Sequence, residues 1–332
     1  MKVLQKNNNG WLAISWAPYS RMSQTFAHEL GGNLYCIHYL RFQSPPHAPL
    51  KYILQAVRTL IVLFKERPSA VHVQNPPFVA GLVVDVYCRL TGARFVLHYH
   101  SAAFGHVWDW ALPFQKYIAR RATTNIVTNS HWAEIVGSWG GHTLVMVDPF
   151  LDLPQSDPFP MKSGFNVAFV STFAEDEPLE AVLKAADLLP DVNFYITGDK
   201  RKKPAGFFDN APANVTFTGF LDPDKQYPGL LRAADAIMVL TTRDFTLQLG
   251  GCEATAVGKP LVTSDWPYLH EVFPKGTVYV TDTVESIRDG ILLVKQDYKR
   301  LSEEIIDLRQ ESQKEWKSRL AQLNHLVEGD LS

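Results

Sequence analysis

Two successive runs of alternating apolar strands and amphipathic helices, broken by a stretch with four prolines between positions 148 and 160, constrain this chain most. Strands joined by helical crossovers lie parallel in one sheet, with helices on both faces. A break between two such runs therefore means two sheets. In the first half the pattern places strands over 11–15, 33–40, 70–74, 94–98, 125–128 and 143–147. Helices fall over 23–30, 50–65, 79–90 and 113–122, and another follows Ser130, which would cap it. In the second half strands fall over 166–170, 193–197, 215–217, 236–240 and 278–280, with one more after Pro260. Helices fall there over 179–188 and 227–234, and a short one begins near Gly251. The charged tail over 297–326 keeps apolar residues at helical spacing and reads as a pair of surface helices. Residues 148–160 have no periodicity and read as a linker. The expected domains are 1–155, 163–300 and a helical 301–332 that packs back toward the first.

A chain of 332 residues is long enough for two such cores. Its net charge of -2 argues against a nucleic-acid partner, which asks for a basic face. The three cysteines, Cys36, Cys88 and Cys252, are odd in number and widely spaced, so they form neither a disulfide framework nor a CxxC metal site. The first ten residues lack the apolar stretch of a signal peptide, and no run approaches 18 apolar residues. The expectation is a cytoplasmic protein that spans no membrane.

Open α/β sheets bind ligands beyond the carboxyl ends of their strands, so polar residues there carry the functional reading. Glu253 lies near a helix start, where a carboxylate can accept two hydrogen bonds from vicinal hydroxyls; the plain alternative is a charge that satisfies the helix dipole. His98 and His100 end one strand and point to the same side if it persists. Zinc would need further ligands, and only His106 and Asp109 are near, so no metal is expected. The loop over 17–24 contains no glycine; Ser20, Arg21 and Ser23 offer side-chain donors there, or else a helix cap and a surface arginine. Asn75 and Ser130 either line a site or cap a turn and a helix. Trp108 and Trp110, with Phe104, Leu112 and Phe114, form either a packed helix or an aromatic wall facing lipid or a sugar's aglycone.

Three segments together resemble the donor-sugar site of GT-B glycosyltransferases of the family 4 type: the strand and loop over 235–244, the stretch 250–264, and Leu269, His270 and Glu271. The resemblance is strongest over 167–271. It implies two Rossmann-like domains whose parallel sheets face each other across a cleft. The family motif is a glutamate, seven residues, and a second glutamate; the first contacts the donor sugar and the second the nucleotide ribose. Glu253 matches the second, while the first position holds Phe245. Asp244, or backbone N–H groups near Thr246, would take over its task. The family's arginine and lysine for the leaving diphosphate are also missing. Ser171 and Thr172 stand at that strand end, followed by Glu175, Asp176 and Glu177. Hydroxyl and N–H groups can hold phosphate, whereas three acids repel it. Arg243, Lys259 or the cations over 200–203 would compensate, the last being otherwise a solvated loop. By the same resemblance Gly219 and Phe220 lie against the nucleotide base and His100 against the donor sugar.

The implied activity is transfer of a sugar from a UDP- or GDP-sugar to a glycan or lipid-linked acceptor, with retention of configuration and no tightly bound cofactor. Peripheral membrane contact and a partner subunit belong to the same expectation. The stretches 72–77 and 170–177 also resemble chitobiosyldiphosphodolichol β-mannosyltransferases. Two other readings stay open. A nucleotide-sugar epimerase or hydrolase would need no acceptor. A degenerate, partner-dependent subunit would account for Phe245, the loop without glycine and the missing cations.

Overall fold

The computed structural model describes residues 10–40, 48–147 and 153–329. Residues 1–9 and 148–152, the second being the start of the proline-rich stretch, lie outside the described residues. The chain divides into two units, Met1–Asp148 with Trp316–Ser332, and Pro149–Glu315.

The first unit holds six parallel strands: β1 (Trp11–Ser15), β2 (Asn33–Cys36), β3 (Ala70–Asn75), β4 (Arg94–Tyr99), β5 (Thr124–Val127) and β6 (Thr143–Val145). Their order is β2-β1-β3-β4-β5-β6. Between them run helices α1 (Arg21–Glu29), α2 (Ala48–Glu66), α3 (Phe78–Thr91), α4 (Leu112–Arg121) and α5 (Ser130–Ser138). Alternation along each strand fills two cores. On β4, Phe95, Leu97 and Tyr99 join Ile14, Val71 and Val73 on one face. Val96 points the other way, into a core with Trp11, Phe26, Ile126 and Trp316. Both faces are covered, which is why these strands read as nearly continuous apolar runs.

The second unit repeats the plan with β7 (Phe165–Phe169), β8 (Val192–Thr197), β9 (Val215–Gly219), β10 (Ala236–Val239), β11 (Leu261–Ser264) and β12 (Thr277–Val280), in the order β12-β11-β10-β7-β8-β9. All pairings are parallel. Its helices are α6 (Leu179–Asp187), α7 (Tyr227–Ala233), α8 (Leu249–Val257), α9 (Pro267–Val272), α10 (Val284–Gln296) and the first part of α11 (Tyr298–Glu328).

Several elements differ from the pattern. The β2 strand stops at Cys36 rather than at 40, at its last residue paired with β1, opposite Ser15. Asn129, not Ser130, caps α5: its side chain accepts from the Trp132 N–H at 2.9 Å. The tail is one 31-residue helix instead of a pair. Its apolar positions find two cores in succession, Leu301 in the second unit and Trp316, Leu320, Leu323 and Val327 in the first.

The strand orders fix where each sheet can take a ligand. In the first unit the chain steps from β1 outward to β2, then returns to β3 and continues the other way. In the second it runs β7 to β9, then returns to β10. The reversal points, β1/β3 and β7/β10, open a crevice at the carboxyl ends of the strands.

Candidate functional site

At the β7/β10 reversal the loop after β7 curls around a carboxylate of its own. The Ser171 hydroxyl donates to Glu177 Oε2 at 2.5 Å, the Thr172 hydroxyl to Oε1 at 3.1 Å, and the N–H groups of Thr172 and Ala174 to Oε2 at 2.9 and 3.1 Å. Convergent N–H and hydroxyl donors of this kind make an anion-binding concavity. Phe173 adopts φ 58 to close the curl, and its ring lies where a side chain on Gly198 would stand, 2.9 Å from that Cβ position. The Thr197 hydroxyl pins the strand end, accepting from the Ser171 N–H at 2.9 Å. Lys202 Nζ donates to the Thr172 carbonyl at 2.8 Å, which brings one cation of the 200–203 run to this loop. Two others are engaged elsewhere, Lys200 over the Phe217 ring and Arg201 on Asp199.

Asp176 joins this loop to the one after β10. It accepts from the Thr241 hydroxyl at 3.1 Å, and its carbonyl accepts from the Thr242 N–H at 2.8 Å. Arg243, mostly exposed, lies 3.8 Å from the Asp176 carboxylate. Beyond it Asp244 Oδ1 accepts from the Phe245 N–H at 2.6 Å, the Thr246 hydroxyl donates to the Asp244 carbonyl at 3.2 Å, and Phe245 takes φ 54. The α8 helix approaches the same strand ends closely because Gly250 has no side chain. A Cβ there would stand 2.8 Å from Val239 and 3.0 Å from Val170.

Glu253 is the fifth residue of α8, and no acid stands in that helix's first turn. The carboxylate is half-buried and accepts a hydrogen bond from the Tyr227 hydroxyl, at the start of α7. That helix follows the Gly219–Phe220 turn. Gly219 has φ +70 with open space on its Cβ side, and Phe220 is 85% exposed. The site residues of this unit thus fall in two sets. Ser171, Thr172 and Arg243 are tied together through Asp176 and Glu177. Glu253 is tied to Tyr227, close in sequence to Gly219 and Phe220.

At the β1/β3 reversal the Ser15 hydroxyl donates to Gln74 Oε1 at 2.6 Å, and the Ser23 hydroxyl reaches the same atom at 3.3 Å. Ser20 caps α1, accepting from the Ser23 N–H at 3.2 Å, while Arg21 Nε donates to the Tyr19 hydroxyl at 3.2 Å. One strand over, His98 and His100 stack with ring centroids 5.7 Å apart, so both point to one side although β4 itself ends at Tyr99. His72 Nε2 lies 3.2 Å from His98 Nδ1, and Phe26 stacks on His72. Burial pushes His72 down to about 3 and His100 to about 4, and drives His98 well below the ordinary imidazole value. All three rings are neutral at neutral pH. His100 Nε2 and both side-chain polar atoms of Asn75 are shielded from solvent without a hydrogen-bond partner among the described residues. Trp108, Trp110 and Phe114 ring the buried Phe78, so the aromatic segment is partly packed, yet Trp110 stays 66% exposed. Among the described residues no group of three or more His, Cys, Asp or Glu is placed to hold a metal ion.

Gln74, Asp176, Glu177, Lys202 and Tyr227 are the polar partners that sequence patterning did not assign to a site. Gln74, Asp176, Glu177 and Lys202 nevertheless stood in segments already singled out, 72–77, 170–177 and 200–203, whereas Tyr227 stood only in an expected helix.

A family model for a glycosyl transferase 4-like domain matches residues 17–147, and one for glycosyl transferases group 1 matches residues 164–311. The chain is a GT-B-fold protein related to the family 4-like glycosyltransferases. Solved GT-B structures repeat its architecture. Sucrose-phosphate synthase from Thermosynechococcus elongatus superposes with a TM-score of 0.72 at 14% identity, over 96% of this chain and 98% of that one. HepE from Anabaena, solved in complex with UDP and glucose, gives 0.68 at 14%, over 96% and 99%. The GtfA/B complex gives 0.57 at 14%, over 82% and 61%. At such identities the likeness is one of fold. None of the curated protein sequences matches this chain.

Proposed function

We propose that this GT-B protein transfers a sugar from a UDP- or GDP-sugar to a glycan or lipid-linked acceptor, with the donor held by the second unit. The observation that carries the reading is the β7/β10 reversal point. Convergent donors, an exposed arginine and a helix bearing a carboxylate meet there at the carboxyl ends of one parallel sheet. Glu253 accepts from the ribose hydroxyls, oriented by Tyr227. Gly219 and Phe220 lie along the base, and Asp244 with the Thr246 backbone takes the sugar in place of the acid that Phe245 replaces. Ser171, Thr172 and Arg243 meet the diphosphate, and Ser20 and Arg21 assist it. His100, neutral and with a free Nε2, hydrogen-bonds a sugar hydroxyl on the acceptor side.

In a retaining front-face reaction the bond from the anomeric carbon to the diphosphate oxygen breaks as the acceptor oxygen attacks from the same face. The acceptor proton passes to the departing phosphate. Stabilising that leaving group then matters more than any nucleophilic side chain. The protein works in the cytoplasm, peripherally at a membrane.

A second reading, a partner-dependent subunit, is favoured by the occupied anion loop. Glu177 already uses the donors of Ser171, Thr172 and Ala174, and Phe245 stands where the family has an acid. The GtfA/B complex is a precedent for a two-component assembly on this fold.

Calorimetric titration of UDP, GDP, ADP and TDP, with their common sugars, into wild type and Glu253→Ala tests the choice. Saturable binding of one nucleotide, weakened at least about tenfold in E253A, is expected, since a hydrogen bond to a charged group contributes about 1.5–3 kcal/mol. No binding to folded wild type would overturn independent transfer and favour the subunit.

A further inference from the structure

We infer, on the donor-site reading of Glu253 given above, that Arg232 is a positioning residue for the nucleotide, acting through α7 and Tyr227. The α7 helix cannot hold its own place. It has seven residues, carries Gly229 in its interior, and its N-cap Gln226 makes no side-chain capping bond. About two turns are too few to persist in water without tertiary contacts. Leu230 and Leu231 are fully buried, but apolar contact is non-directional and leaves a short helix able to slide or turn.

Directional contacts come from the proline-rich stretch. Arg232 Nη2 donates to the Leu153 carbonyl at 2.5 Å and Nη1 to the Pro154 carbonyl at 2.6 Å, a fork that grips two successive peptide units. A basic residue in a last turn ordinarily answers the helix dipole, which asks for no partner so far away in the chain. One turn back, Gly229 lets the same stretch come close: a Cβ there would stand 2.2 Å from the Asp157 carbonyl oxygen. The stretch is itself pinned to the sheet. Phe159 packs edge-on against Tyr195 of β8, and the Tyr195 hydroxyl accepts from the Lys162 N–H at 2.7 Å.

At its other end α7 begins with Tyr227. The Tyr227 N–H donates to the Asp222 carbonyl at 3.0 Å, which ties the helix start to the turn after Gly219 and Phe220. The Tyr227 hydroxyl donates to Glu253 on α8. A tyrosine has only two side-chain torsions, so its hydroxyl goes where the helix backbone sends it. A slide of about 1 Å exceeds the roughly 0.5 Å range over which an O–H···O bond is made. Arg232, which stops that slide, therefore sets where the Glu253 carboxylate stands.

Calorimetric titration of UDP, GDP, ADP and TDP into wild type, R232A, Y227F and R232A/Y227F tests this. R232A should bind about threefold or more weakly than wild type, whereas on the Y227F background the same change should alter affinity by less than about twofold. A purely structural arginine would weaken both backgrounds alike. Arg232→Lys keeps the charge and the helix but loses the fork. It should show a smaller loss with the same dependence on Tyr227, and it decides the matter if R232A does not fold. Equal affinity of R232A and wild type, or equal losses on the two backgrounds, would overturn the inference and leave the donor site standing. Folded wild type that binds none of the four nucleotides would overturn the donor-site reading and this role of Arg232 together.

Discussion

Glu253 and Glu177 are both carboxylates at the ends of parallel strands, yet their surroundings give them different tasks. Glu253 has a phenol among its partners and a half-buried setting. Tyr227→Phe removes the orienting bond and keeps the carboxylate. We expect it to weaken nucleotide binding about three- to tenfold in calorimetry, less than E253A does. Equal losses would mean that the hydroxyl itself contacts the nucleotide. Glu177 instead accepts from two hydroxyls and two N–H groups of its own loop. Glu177→Gln keeps the shape and removes the charge, so about 1–2 kcal/mol of stability should be lost in urea unfolding. Added inorganic phosphate should then raise the melting temperature of E177Q more than that of wild type, because the donors are freed for another anion. An identical phosphate response in both would show that the loop takes no anion but its own. The acids after Thr172 were legible in the sequence as repulsive to phosphate. That one of them curls back was not, because the curl depends on left-handed backbone at Phe173, a residue type that does not announce it.

Elements were legible where periodicity and burial agree. The strands over 11–15, 70–74 and 94–98 are apolar because both faces are covered, and they differ from β1, β3 and β4 by no more than a residue at an end. The short helix near Gly251 begins two residues earlier, at Leu249. Its glycines, which weaken a helix in isolation, are there because the sheet end and Phe273 leave no room for a side chain. Gly250→Val should therefore push α8 off Val170 and Val239, costing about 1–3 kcal/mol and lowering the melting temperature by several degrees. A melting temperature equal to wild type would show that α8 can shift freely. The charged tail was read as two helices from its composition. A single α11 forms because Leu301 and then Trp316 through Val327 each find a core, and no proline or glycine interrupts them.

For the molecule as a whole, the buried histidines make acid the weak side of the first unit. The folded pKa values of His72 and His100 are lowered to about 3 and 4, against about 6.5 in an unfolded chain. Below about pH 6.5 the unfolded state therefore binds protons that the folded state refuses. Stability is intact above that pH and falls as pH drops toward the folded values, by about 1.4 kcal/mol per pH unit for each fully buried ring. Between about pH 6.5 and pH 5 the fully buried His72 should cost about 2 kcal/mol, and the buried His98 acts in the same direction. Seven of the eight tryptophans belong to the first unit, so their fluorescence in urea titrations follows it. A flat profile over that window would mean that the rings carry charge in the folded protein. Sequence alone determined that there are two parallel-sheet units and which strand ends carry polar groups, because hydrophobic periodicity is a local property that survives in one dimension. Tertiary structure alone decided the strand orders, hence the reversal points, and the pairings of Glu253 with Tyr227, Glu177 with its own loop and His72 with His98. The curl of Glu177 turns on the backbone at Phe173, and the others depend on which distant segments share a neighbourhood, which no local pattern of residues encodes. The face of α2 that meets the core is the same lesson: its apolar spacing was plain in the sequence, but the buried face holds Gln55 and Thr59, each with a partner inside, as well as Val62 and Leu63.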